Sequence, residues 1–130
     1  MALLMSPVGF DHGRFQLLMA RACISILPEL VWTGPVTLNF EDKTNPEPDL
    51  IGWKGQQPWV VVEIAQTTQK ADFGYKRELY QSNGVPFYVV YDIARDWLEL
   101  LGLDAKGNYM GNPNELEGIR AIFRELLGKG

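Results

Sequence analysis

Apolar residues recur at helical spacing from 11 to 27, where Phe15, Leu18, Met19, Ala22, Cys23 and Ile26 mark one face. Asp11 is the expected N-cap and Pro28 ends the segment. The period then shortens. Leu30–Trp32 and Val36–Phe40 predict short strands around a Thr33-Gly34-Pro35 turn, and Glu41–Pro48 reads as a polar, proline-containing loop. Two apolar runs, 49–53 and 59–64, flank Lys54-Gly55-Gln56-Gln57-Pro58 and predict a hairpin with a five-residue loop. Asp72–Ser82 is a second helix, with Asp72 near its N-cap and Asn83-Gly84 as its stop. Pro86–Tyr91 and Trp97–Leu103 are strand runs separated by an Ala94-Arg95-Asp96 turn, and Asp104–Asn108 is turn-like. A last helix is expected over about 114–127, with Asn112 as cap, Pro113 at its first position and Gly128 as terminator.

The helix between the 59–64 and 86–91 runs is long enough for a right-handed crossover, which makes those two strands parallel. The expected fold is therefore α/β: a mixed β-sheet flanked by helices in three layers, formed by residues 1–130 as a single domain. Apolar residues at 46% and charged residues at 22% suit a globular chain with one modest core. A lone cysteine excludes an internal disulfide, and with no membrane-length apolar run and no leader pattern a cytoplasmic location is expected. The net charge of −4 argues against a large electropositive face, so a polyanion would be met by a local cleft, a bound metal or a partner subunit.

Within the hairpin, pairing Ile51 with Val61 and Trp53 with Trp59 places Asp49 opposite Glu63. Directly opposed residues on antiparallel strands have Cβ atoms about 4.5–5.5 Å apart, and like charges so placed repel. A divalent cation held by oxygen ligands relieves that repulsion, which makes Asp49 and Glu63 candidate ligands for Mg²⁺ or Mn²⁺, with the backbone carbonyl of Ile64 as a third. Lys76 shares the inward stripe of the second helix with Phe73, Leu79 and Tyr80, where an ammonium is out of place on hydrophobic grounds. Near two carboxylates it could hold an attacking water or steady phosphorane charge. Snorkelling, or an i,i+4 pair with Asp72, is the competing account.

Pro48-Asp49 followed by Glu63-Ile64-Ala65 resembles the PD-(D/E)XK nuclease superfamily. The longer run Glu63-Ile64-Ala65-Gln66-Thr67-Thr68, Asp72, Lys76-Arg77-Glu78-Leu79-Tyr80 and Gly84-Val85-Pro86-Phe87-Tyr88-Val89-Val90-Tyr91-Asp92 is similar to one of its member families. That family is restriction-endonuclease-like, expanded in cyanobacteria and long described only as a domain of unknown function. Met5-Ser6-Pro7 and His12 resemble its N-terminal pattern. The resemblance implies a restriction-endonuclease-like αβββαβ core, with the N-terminus expected to be short relative to the family. It also implies metal-dependent phosphodiester hydrolysis, with Asp49 and Glu63 as the motif acids. The superfamily's usual lysine position falls at Ala65, and Lys76 matches the lysine this family carries on the following helix. Asp72 and Tyr80 match family positions without an assigned role, and His12 is a possible accessory at the start of the first helix.

Three functions follow as expectations. The first is a Mg²⁺-dependent DNA endonuclease, a homodimer in which two sites address two strands. The second is a binding or regulatory module that keeps the fold with a weak or inactive site. The third is an RNA or repair nuclease on the same scaffold, since fold does not fix substrate.

Overall fold

The computed structural model describes residues 9–66 and 70–129, apart from the side chains of residues 70–73. Among these residues six strands form one sheet in chain order: β1 (Val31–Thr33), β2 (Leu50–Lys54), β3 (Gln57–Ala65), β4 (Phe87–Asp92), β5 (Trp97–Leu103) and β6 (Tyr109–Gly111). β3 and β4 run parallel and the other neighbours antiparallel, so the sheet is mixed. Three helices accompany it: α1 (Phe10–Ile26), α2 (Lys70–Ser82) and α3 (Ile119–Leu126). α2 is the crossover that a parallel β3–β4 pair requires.

The two-residue period of β3 sorts the layers. Val60, Val62 and Ile64 pack with Met19, Ala22 and Cys23 of α1 and with Ile119 and Phe123 of α3. Val61 points to the opposite face and packs with Ile51, Tyr88, Val90 and Tyr80 of α2. Burial is unbroken from Val60 to Ile64, as expected of a central strand covered on both sides. Each such aliphatic side chain contributes roughly 1.5–3 kcal/mol over an exposed one, so the core fixes the register. A slip of one residue would turn Glu63 from the α2 face into the α1–α3 layer. Cys23 is fully buried, and burial pushes its thiol pKa up to about 12.

Several boundaries differ from the sequence expectation. α1 starts at Phe10 behind Gly9, at φ 81, so Asp11 lies in the first turn instead of capping it. A β-bulge between Gly52 and Trp53 shifts the hairpin, pairing Trp53 with Pro58 and Lys54 with Gln57. The five-residue loop becomes two residues, Gly55-Gln56, with Gly55 at φ 63. Gly52 has a further reason to be glycine, because a Cβ there would meet the Trp32 ring at 2.9 Å.

Val36–Phe40 is not a strand. Leu38 donates its N–H to the Pro46 carbonyl (2.8 Å) and Phe40 to that of Thr44 (3.2 Å), so this segment folds against its own loop. Pro35, Pro46 and Pro48 lack the N–H groups that a ladder would need. The final helix is split. A 3₁₀ turn at Asn114–Leu116 precedes Gly118, which at φ 97 caps α3 instead of lying inside it. α2 begins at Lys70, so Asp72 falls within the helix; its side chain, that of Phe73 and the Met5-Ser6-Pro7 motif lie outside the described residues. Among the described residues no helix is long and apolar enough to cross a membrane.

Candidate active site

The hairpin register brings the two acids together at its open end. The ladder ends at Leu50–Val62, and Asp49 lies just beyond it with its N–H on the Val62 carbonyl. It therefore stands beside residues 62–64 of β3 and is not ladder-paired with Glu63 as the sequence suggested. Glu63 belongs to the α2 face of β3 and is 7% exposed. Lys76 and Tyr80, one helical turn apart on α2, both reach it. Tyr80 donates its hydroxyl to Glu63 Oε1 at 2.8 Å, and Lys76 Nζ lies 3.1 Å from Oε2. Lys76 therefore points at a carboxylate, as its place on the inward stripe predicts.

Asp49 is held from the other side. Its Oδ2 accepts the backbone N–H of Ile64 at 2.7 Å, and Oδ1 lies 3.2 Å from His12 Nε2 of α1. Its own backbone is tied at both ends: the N–H donates to the Val62 carbonyl (3.0 Å), and the carbonyl accepts from Gln16 Nε2 (3.0 Å). α1 thus anchors Asp49 while α2 anchors Glu63. In extended backbone the N–H and C=O of one residue project to the same edge, so the Ile64 carbonyl faces the Asp49 side of β3.

Burial holds the Glu63 carboxyl above its ordinary pKa; the charges of Lys76 and the Tyr80 hydrogen bond oppose this, and the Asp49 charge adds to it. Burial, then the Glu63 charge, pushes the Tyr80 phenol upward, so it stays protonated and donates at neutral pH. Two neighbouring carboxylates, one of them buried and reluctant to ionise, form a donor set that suits a hard divalent cation. Among the described residues no group of three or more His, Cys, Asp or Glu side chains is arranged to hold a metal.

Glu63, Lys76 and Tyr80 open onto a cleft of about 280 Å³, whose other walls are Thr44, Asn45, Pro46, Glu47, Tyr75 and Leu79. The 41–48 loop is pinned over it by Asp42, which accepts from the Thr44 N–H (2.9 Å) and from Asn83 at the end of α2 (2.9 Å). Asp42 also accepts from the Thr44 hydroxyl, and that bond, then those from Asn83 and the Thr44 N–H, hold its carboxyl below the usual pKa. Gln16 and this loop were not expected at the site. Gln16 carried a usable signal, standing one turn after His12 on α1. The loop carried none, because its placement is set by contacts distant in sequence.

A mixed sheet with a helical crossover, and an acid pair and lysine at its hairpin end, define a restriction-endonuclease-like protein of the PD-(D/E)XK class. The family model described as "Uma2: Putative restriction endonuclease" matches residues 2–126, and the chain belongs to that family. No curated protein matches it.

Proposed function

We propose that the protein hydrolyses phosphodiester bonds in nucleic acid, DNA first, with Mg²⁺ or Mn²⁺ as cofactor. The observation that carries this reading is Lys76 bonded to Glu63 at the hairpin end where Asp49 holds the N–H of the next residue, Ile64. Asp49 and Glu63 would hold the ion, with the Ile64 carbonyl beside them. When bound, the ion supplies hydroxide near neutral pH and stabilises charge on the phosphate. The Ile64 N–H and Tyr80 hydroxyl fix the directions of the two carboxylates, which limits reorganisation during the reaction. Lys76 is placed to donate to the attacking water or to a non-bridging phosphate oxygen. A homodimer belongs to the same reading and is tested by sedimentation velocity.

One observation favours a binding module instead: each carboxylate oxygen of Asp49 and Glu63 already has a protein partner. The deciding experiment is cleavage of a plasmid and of an RNA at low ionic strength, with Mn²⁺ and with chelator. Chelator-sensitive cleavage that disappears in Asp49→Ala and Glu63→Ala supports the nuclease. No cleavage, with no Mn²⁺ binding by calorimetry, supports the module.

A further inference from the structure

We propose that the cleft beside Glu63 and Lys76 accepts an unpaired nucleotide, so that the substrate is single-stranded or locally melted nucleic acid. This rests on the nuclease reading above. Tyr75 is a cleft wall and yet 61% exposed, an unusual position for a large aromatic residue. It stands on α2 directly before Lys76, and Leu79, one turn further on, extends the same apolar wall. The rest of the wall is polar: Asn45 brings an amide, and the Thr44 hydroxyl, which donates to Asp42, keeps its lone pairs to accept from the edge of a base. The cleft therefore combines an aromatic ring, hydrogen-bonding groups and one ammonium beside Glu63.

These are the parts that bind an unstacked nucleotide. A base inside a regular duplex has its faces covered by its neighbours, so Tyr75 gains contact only with a base that is splayed out. With a net charge of −4, Glu47 and Glu63 among the lining and Lys76 paired with Glu63, electrostatics contribute little to holding a polyanion here. Stacking supplies sequence-tolerant affinity where electrostatics are weak, and removing one stacking aromatic costs about tenfold in binding. The cleft volume of about 280 Å³ suits one nucleotide more closely than a larger ligand.

The test pairs binding with cleavage. A fluorescein-labelled ten-nucleotide oligothymidine, its oligouridine counterpart and a matched DNA hairpin are titrated by anisotropy at low salt with chelator. The same three are then digested with Mn²⁺. Single strands are expected to bind and be cut about tenfold better than the hairpin. Tyr75→Ala weakens single-strand binding by about tenfold, and Tyr75→Phe restores it because the ring face remains. The thymidine and uridine arms tell DNA from RNA. Efficient cleavage with equal or better use of the paired hairpin overturns the inference and leaves the nuclease intact. Tyr75-dependent single-strand binding without any cleavage keeps the inference and removes the nuclease. Equal single-strand binding by wild type and Tyr75→Ala rejects the base-seating role whatever the cleavage result.

Discussion

The carboxylate of Asp49 accepts the backbone N–H of Ile64 at 2.7 Å, which locks the first acid of the site to the residue that follows the second. The bond ties the loop entering β2 to the C-terminal end of β3. It also separates two duties of Asp49. Asp49→Asn can still accept the Ile64 N–H, whereas Asp49→Ala leaves that donor without its partner, at about 1–3 kcal/mol. Both variants are expected to lose cleavage, and urea unfolding is expected to show a clear loss of stability only for alanine. Equal stability of the two would mean that the bond does not hold the hairpin end.

Lys76 is the simplest probe of chemistry against structure. Its side chain is 37% exposed, and an ion pair at that depth is screened to at most about 1 kcal/mol. Lys76→Met keeps much of the apolar stem, so thermal stability is expected to hold while cleavage falls at least tenfold. A large drop in melting temperature with cleavage unchanged would assign Lys76 a structural role instead.

Tyr80 is fully buried with its hydroxyl on Glu63, and the ring also packs on Phe40 and Tyr88. Tyr80→Phe preserves the packing and removes one donor from a buried carboxylate. A hydrogen bond to a charged group contributes roughly 1.5–3 kcal/mol, so a loss of that size is expected in denaturant unfolding. Mn²⁺ affinity, read by calorimetry, is expected to fall as well, because Glu63 loses its fixed direction. Unchanged affinity would show that Lys76 alone orients it.

Glu63 makes stability depend on pH with a definite sign. Its folded pKa lies above the ordinary 4.5, so the folded state favours the protonated form. Stability relative to a non-titrating side chain is fullest below pH 4.5 and declines as pH rises through the folded pKa. Glu63→Gln is therefore expected to gain stability on the wild type as pH rises above 4.5, levelling off beyond the folded pKa. Thermal melts across that range, without divalent metal, check the trend. A difference that does not change with pH would contradict it.

Much of this site was legible because β-strands alternate. The parity that buries Val61 also sends Glu63 to the α2 face, and the helical period that makes Tyr80 an inward residue carries Lys76 with it. The Ile51–Val61 pairing follows from the apolar pattern alone. The turn chemistry was less legible, since Gly52 and Pro58 read as ordinary hairpin residues until the bulge sets Trp53 against Pro58. Gly118 caps α3 because Ile26, distant in sequence, fills the space where a Cβ would stand 2.7 Å from its methyl group. β6 was missed because Tyr109–Gly111 is too short to carry a period, and its pairing to β5 comes from the tertiary fold. The same holds for the roof at Thr44–Glu47.

Cys23 sits on the helix that carries His12 and Gln16 to Asp49, buried against the sheet with its thiol pKa pushed up to about 12. Such a sulfur meets an alkylating reagent when an opening lifts α1 away from β3 or the chain unfolds. The protein thus contains its own timer for helix detachment: the alkylation rate, followed by mass spectrometry, counts those openings without any engineered residue. Because α1 also grips the first acid of the site, anything that tightens that grip slows the timer. Occupancy at one end of the helix becomes readable as a rate at a sulfur several turns away.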